Sequence, residues 1–396
     1  MNVGLYGILG VYNFGCEAIV RGAYNFINSV YPGSNIIYFS YSPEYDSKAL
    51  SDLDIEIYGI QEKRTFFKRI VNKALKKINA EHRCFMFDAD AIIDKVDIIL
   101  SIGGDIYTIP RVVREQKKYF YYNTLVDFCE RAINRGTQVI VYGASVGPWG
   151  KYKKAVEYNV KALSRYKAIL CREEKTVEYL TNLGIHNAFF FPDPAFQVKG
   201  KMNNDDKKYI GVNLSPLSLI EVYGNYYEKH IIEMADLLDR VYEKYKLCLM
   251  FIPHVISKSE NDNDLWFMEK IKSYMKHKDE VLFADSSNGF VGLKKYISQC
   301  RIVIAARMHC AVNAIDEGIP AIFICYSQKG IGMCNYVYGS EIMAVDLKNI
   351  SNELFDVIDL TLANLEEITS LIKRRNNEIT QYYKQNLDEV KKILEI

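Results

Sequence analysis

Short apolar runs and amphipathic stretches alternate along this chain. Runs suited to buried strands recur at Val3 to Tyr6, Ile36 to Phe39, Asp97 to Ile102, Val139 to Tyr142, Ala168 to Cys171 and Ala188 to Phe191. Between most of them lie segments with helical spacing, at Glu17 to Val30, Arg111 to Arg135, Tyr152 to Ser164 and Lys175 to Leu183. That alternation predicts a doubly wound α/β layer. The polar stretch Val198 to Lys208 has no apolar period and reads as a connection. Beyond it the alternation resumes. Strands are expected at Tyr209 to Asn213, Leu247 to Ile252, Val281 to Ala284, Ile302 to Ala305 and Ala321 to Cys325, and helices at Tyr226 to Lys244 and Asp264 to His277.

The count therefore predicts two successive Rossmann-like domains, over residues 1–198 and 207–367. The helical patterns Asn352 to Leu362 and Ile368 to Leu394 follow, and the last segment, 368–396, is expected to pack back on the first domain. At 396 residues with 49% hydrophobic content, the chain is long enough for two cores.

Charge narrows the range of partners. Fifty basic residues against 49 acidic ones leave a formal net charge of +1, which offers no general attraction to nucleic acid. The nine cysteines form no CxxC pair and read as reduced, cytosolic core residues. Met1 leads straight into an apolar strand and no run approaches about 18 apolar residues. A cytoplasmic protein that does not span a membrane is the expectation.

Candidate chemistry concentrates at strand ends. The segment Arg301 to Gly330 reads strand, helix, strand, and places Arg307, His309 and Lys329 at one sheet edge, where the helix N-terminus already favours an anion. His254 follows another strand of the same half, as either a cleft residue or a core one.

In the first half, the loop after the first strand carries Gly7, Gly10, Asn13, Gly15 and Glu17. It either lets the backbone approach a ligand closely or makes a tight turn. Cys16 and Glu17 occupy the places where a phosphate-binding loop has Lys and Ser/Thr, so nucleoside triphosphate hydrolysis lacks its cation. Gly103, Gly104 and Asp105 end another strand, with Asp105 a general-base candidate or a turn aspartate. Gly143-Ala-Ser145-Val-Gly147 fits the GxSxG pattern, but Pro148, Trp149 and Gly150 follow where a nucleophile elbow needs a helix. Ser145 is expected to shape the cleft instead. Arg172, after a strand, is positioned to hold a planar anion or to pair with Glu173 or Glu174.

Taken in order, Gly10-x-x-Asn13-x-Gly15-x-Glu17-Ala18, Gly103-Gly104, Gly143-x-Ser145-x-Gly147-Pro148, Arg172-Glu-Glu, Pro192-Asp193-Pro194, Pro253-His254, Arg307-x-His309 and Tyr326-x-x-Lys329 resemble the polysaccharide pyruvyl transferase family. The resemblance implies a GT-B-like fold, with the two doubly wound Rossmann-like domains facing a cleft, and transfer of the pyruvyl group of phosphoenolpyruvate to a sugar, as a cyclic ketal. It implies donor roles for Arg172, Arg307 and His309, with Lys329 adding positive charge. Cys16 and Asp105 depart from the family pattern, which points to a different acceptor side. No metal cluster is evident, so transfer without metal or cofactor is expected.

Two other readings share these features. A GT-B-like glycosyltransferase using a nucleotide sugar would need an acidic residue to hold a ribose, for which Glu317 is the nearest candidate. A non-catalytic carbohydrate-binding protein would retain the motifs without the chemistry. Separately, residues 63–78 form one strongly basic segment in which Phe66, Ile70, Val71 and Ile78 fall on one helical side. This is the pattern of either a helix lying on an anionic membrane or the solvated face of a packed helix. The first option would suit a lipid-linked acceptor.

Overall fold

The computed structural model describes residues 1–200 and 206–394. Residues 201–205 of the polar connection lie outside that range. The first sheet contains β1 (Asn2–Tyr6), β2 (Asn35–Ser40), β3 (Glu56–Gly59), β4 (Ile98–Ile102), β5 (Gln138–Ala144), β6 (Ala168–Cys171) and β7 (Ala188–Phe190), in the order β3-β2-β1-β4-β5-β6-β7. The second contains β8 (Tyr209–Asn213), β9 (Cys248–Phe251), β10 (Val281–Phe283), β11 (Cys300–Ala305), β12 (Ala321–Cys325) and β13 (Ala344–Asp346), in the order β10-β9-β8-β11-β12-β13. All neighbours pair in parallel, with Leu5 opposite Leu100 in one sheet and Ile304 opposite both Val212 and Ile322 in the other.

Parallel pairing follows from the runs themselves. Strands such as Ile98–Ile102 and Ala321–Cys325 are buried along their whole length, which a sheet covered by helices on both faces requires. In each sheet the strand order reverses once, between β1 and β4 and between β8 and β11. Loops leaving the carboxyl ends of those strands border a natural crevice.

Three differences from the sequence pattern have identifiable causes. The helical pattern Arg111 to Arg135 breaks into Arg111–Arg114 and Thr124–Asn134. Tyr119 and Tyr121 between them are buried in the first core, Tyr119 donating to the Trp149 carbonyl, and Asn123 Oδ1 accepts from Leu125 N at 2.9 Å to start a new helix. The unforeseen strands β3 and β13 both lie at sheet edges, where four half-exposed residues or three residues in all leave no apolar run to read. Helices Pro216–Tyr223, Gly289–Ile297 and Gln328–Tyr338 also lacked a clear period, and all three flank the site described below.

Contacts group the chain into two compact units. One comprises Met1–Val11, Ile19–Pro194 and Tyr382–Ile396; the other comprises Tyr12–Ala18 and Ala195–Gln381. Residues 12–18, kept with the first half in the sequence reading, thus cluster with the second sheet. The helix Leu365–Ile393 contributes Ile372 and Ile379 to the second core, while Tyr383 lies against Phe191 of the first unit at 5.1 Å between ring centroids. All nine cysteines are free thiols. Among the described residues no helix is long and apolar enough to cross a membrane.

Candidate functional site

In the second unit, β11 ends at Ala305 and the helix Met308–Asp316 begins three residues later, which puts Arg307 at the N-cap position and His309 in the first turn. The Arg307 backbone N–H donates to Asn213 Oδ1 at 2.9 Å, so the end of β8 fixes the loop at the end of β11. Its guanidinium is not loose. Nε and Nη2 both donate to Asp264 Oδ1, at 3.1 and 2.8 Å, and Nη2 also reaches Asp262 Oδ1 at 2.7 Å. The Arg307 side chain is only 11% exposed and that of Asp264 is fully buried. Burial alone would lower the guanidinium pKa, but Asp264 and then Asp262 outweigh it and hold it above arginine's ordinary range.

Asp264 organises more than Arg307. Its other oxygen accepts from His254 N and Val255 N, both at 3.1 Å, and from Asn213 Nδ2 at 3.2 Å. One buried carboxylate therefore ties together the loops after β8, β9 and β11. Sequence reading missed it because Asp264 opens a helix, where aspartate is ordinary. The signal available was an Asn at the end of β8 and a run of acidic residues before a helix, and neither distinguishes a brace from a cap.

His254 is buried, with Phe14 and Phe290 edge-on to its ring, each at 6.0 Å between centroids. Neither ring nitrogen has a hydrogen-bond partner among the described residues. Burial first, then the charges of His309, Arg307 and Lys294, push its pKa down to about 3, so the imidazole is neutral. Of the two sequence readings, the core one describes where this ring sits.

Residues 12–18 of the glycine loop belong to the same unit. Phe14 N donates to the His254 carbonyl at 2.9 Å, Ile256 N donates to the Tyr12 carbonyl at 3.0 Å, and Asn13 forms an antiparallel bridge with Val255. Asn13 Oδ1 accepts from Gly15 N at 3.0 Å, starting the helix Phe14–Val30. Gly15 then passes directly over His309: a Cβ there would lie 2.4 Å from Nδ1. Glu17 is 1% exposed and accepts from Phe290 N at 2.8 Å, capping a helix whose N-cap residue Asn288 makes no such bond. Asn13 and Glu17 thus hold the fold around the histidine, and Gly15 lies against it.

Lys329 lies in the first turn of the helix Gln328–Tyr338, beyond β12, whose neighbour is β11. Burial pushes its ammonium down to about 8. Tyr326, just before it, and Glu221 of helix Pro216–Tyr223 both lie within the field of Arg307, and burial raises both of their pKa values. Glu317, the ribose-holding candidate, takes a different position. It is 8% exposed and pairs with Lys294 Nζ at 3.1 Å, beside the Lys294–Asp316 bond at 2.8 Å.

In the first unit the structure brings together Arg172, Ser145, Gly104 and Asp105. Arg172 is 3% exposed; Nη1 donates to Asp193 Oδ2 at 2.9 Å, while Nε and Nη2 donate to Ser145 Oγ at 3.2 and 3.1 Å. Ser145 in turn donates to Glu173 Oε1 at 2.9 Å. The nearest Asp105 oxygen is 3.7 Å from Nη2, and Gly104 lies against the guanidinium, with a would-be Cβ 3.4 Å from Nη2. Gly103 adopts φ +146 and packs on Ile106, a conformation that favours glycine. The principal partner of Arg172 is Asp193, of Pro192-Asp193-Pro194, rather than either following glutamate. No helix follows Ser145 until Lys153, so the nucleophile-elbow geometry is absent.

The model of the polysaccharide pyruvyl transferase family matches residues 13–328. The amylovoran biosynthesis protein AmsJ of Erwinia amylovora is 22% identical over 254 residues, covering 60% of each chain. The chain thus spans about three-fifths of the length of that curated relative. Solved structures share the fold at low identity. A UDP-GlcNAc 2-epimerase of Methanocaldococcus jannaschii superposes with a TM-score of 0.55 at 11% identity, covering 91% of this chain and 92% of its own. HepE of Anabaena, in complex with UDP, gives 0.56 at 10% identity, over 100% and 98%. The fold class is therefore that of two parallel-sheet α/β domains of the GT-B-like type.

Proposed function

Because this chain belongs to the polysaccharide pyruvyl transferase family, we propose that it transfers the pyruvyl group of phosphoenolpyruvate to two hydroxyls of a polysaccharide sugar or its lipid-linked precursor, forming a cyclic ketal and releasing phosphate. The role of the relative AmsJ in amylovoran biosynthesis supports a polysaccharide acceptor. One observation carries the donor assignment: Arg307 and His309 occupy the start of one helix at the carboxyl edge of the second sheet, with Lys329 at the start of the helix after the adjoining strand.

Phosphoenolpyruvate is a compact trianion or dianion, and helix N-termini with fixed cations are suited to it. Arg307 is locked by Asp264 and Asp262, so its contribution is a pre-set positive edge rather than a mobile clamp. Lys329 supplies a charge that burial has made responsive near neutral pH. A proton delivered to the methylene carbon turns C2 into an oxocarbenium-like centre, and a sugar oxygen bonds to it. The C2–O bond to phosphate then breaks, and the second hydroxyl closes the ketal. Of the two hydroxyl protons, one balances the new methyl group and the other leaves with phosphate or solvent. His309 is assigned the proton transfer or the leaving phosphate. Asp105, beside Arg172, is assigned as base toward a sugar hydroxyl. No cofactor enters this scheme.

The test is phosphate release from phosphoenolpyruvate with a panel of free, nucleotide-linked and lipid-linked sugars, and mass analysis of the product. A gain of one pyruvyl unit that disappears in His309→Asn is the expected result. Turnover at the parent rate in that variant, or transfer of a sugar instead of pyruvyl, overturns the reading. Arg307→Ala is a poorer probe, because it leaves Asp264 buried without its cation and disturbs the fold as well. The nucleotide-sugar alternative gains no support from Glu317, whose carboxylate is committed to Lys294.

A further inference from the structure

The helix Phe66–Lys77 of the first unit has no buried residue along its length. It is nonetheless a well-formed helix, with Thr65 accepting from Lys68 N at its start. One face is tethered. Lys68 Nζ donates to the Phe85 carbonyl at 2.8 Å, Asn72 exchanges two 2.8 Å bonds with the Cys84 backbone, and Val71 and Leu75 are half-buried. The rest of its apolar sector is in solvent: Phe66 is 78% exposed, Phe67 73%, Ile70 52% and, just beyond the end, Ile78 73%. Amphipathic helices of globular proteins bury that sector against a core. Here the sector has no cover.

Charge identifies the occupant. Residues 63–78 hold seven basic side chains and no acidic one, in a chain whose net charge is +1. Lys63 and Arg64 are paired with Asp88 and Glu62. Arg69, Lys73 and Lys77, on the outward side, form no ion pair among the described residues, and Lys76 lies over the half-exposed ring of Phe120 at 5.2 Å. A cavity of about 400 Å³ opens at the helix start, lined by Arg64, Phe66, Arg69 and Met86. Two guanidinium groups beside a phenylalanine ring match a phosphate that continues into an apolar tail. A second copy of this chain would instead set the same cluster of cations against itself.

We propose that this helix docks the protein on an anionic lipid bilayer, with Phe66, Phe67 and Ile70 entering the headgroup region and Arg69, Lys73 and Lys77 facing lipid phosphates. Such helices lie in the interface plane, and each cation near the surface strengthens binding in a salt-sensitive way. The inference stands on the first unit alone and does not depend on the donor assignment.

The test is flotation of the full chain with phosphatidylcholine vesicles, with and without phosphatidylglycerol, at low and high salt. Expected is partition onto the anionic vesicles only, weakened by salt, and reduced at least about tenfold in Phe66→Ser/Phe67→Ser and in Arg69→Gln/Lys73→Gln/Lys77→Gln. Because none of these side chains is buried, melting temperatures should match the parent, and phosphate release with a free acceptor should be unchanged in the variants. Equal partition onto neutral vesicles, no partition at all, variants that float like the parent, or dimerisation through the helix in sedimentation would each overturn the proposal.

Discussion

Gly15 and His309 touch: a Cβ on Gly15 would stand 2.4 Å from Nδ1, 2.9 Å from Cγ and 3.0 Å from Cβ of the histidine. The contact sets how far the ring can turn toward the helix Phe14–Val30, and it exists only because position 15 has no side chain. Gly15 has none of the positive φ values that constrain other glycines here, so the constraint is space and not backbone. In Gly15→Ala the ring has to move. Since a displacement near 1 Å can cost on the order of 100-fold in rate, kcat should fall at least about tenfold. Alanine is also the better helix former, so the melting temperature should hold or rise. Steady-state phosphate release and a thermal melt on one sample check both halves, and an unchanged kcat would remove His309 from the chemistry or Gly15 from its support.

Asp264 should prove costly to alter. Asp264→Ala takes the buried acceptor from Arg307, from two backbone N–H groups and from Asn213. Breaking a buried pair by removing one partner costs about 3–5 kcal/mol. Urea unfolding should show a loss of that order, with Asp264→Asn intermediate. A midpoint within error of the parent would mean that the loops after β8, β9 and β11 are held by something else.

The buried His254 gives a stability effect with a defined sign. Its folded-state pKa is depressed to about 3, below the ordinary imidazole value near 6.5. Between those two values the unfolded chain binds a proton that the folded chain does not. Stability is therefore fully present above about pH 6.5 and is lost as pH falls toward 3, at up to about 1.4 kcal/mol per pH unit from this one group. In His254→Phe the acid limb of a stability–pH curve should flatten between pH 6 and 4, whatever the variant's absolute stability. An identical slope would show that the ring is not kept neutral by burial.

Lys329 should give the activity an alkaline limit. With its pKa lowered to about 8, the ammonium is charged at neutral pH and loses its proton through roughly pH 8, sooner than an exposed lysine would. The KM for phosphoenolpyruvate should rise as pH increases from 7 to 9, while Lys329→Arg, which keeps its charge, should lose that rise. If the parent and the arginine variant have the same profile, Lys329 is not part of the anion site.

The fold was legible wherever burial on both faces leaves continuous apolar runs, as in Ile98–Ile102 or Ala321–Cys325, and illegible in the edge strands β3, which has no buried residue, and β13, which has one. The break between Arg111–Arg114 and Thr124–Asn134 has a different cause. Tyr119 and Tyr121, two positions apart, are both buried in the first core, whereas a helix would send them to opposite sides.

Local sequence determined that Arg307 and His309 fall where a strand gives way to a helix N-terminus, because strand length, helix start and periodicity are short-range properties. It also placed Arg172, Ser145 and Asp105 at successive strand ends of one sheet. Tertiary structure alone decided what those groups meet: that Asp264 anchors Arg307, that Asp193 claims Arg172, that Glu17 caps Phe290 across 273 positions, and that Gly15 leaves room for an imidazole. These pairings join residues far apart in the chain through a few ångströms of buried space. Electrostatic and steric demands at that range depend on three-dimensional distance, which residue order does not encode locally.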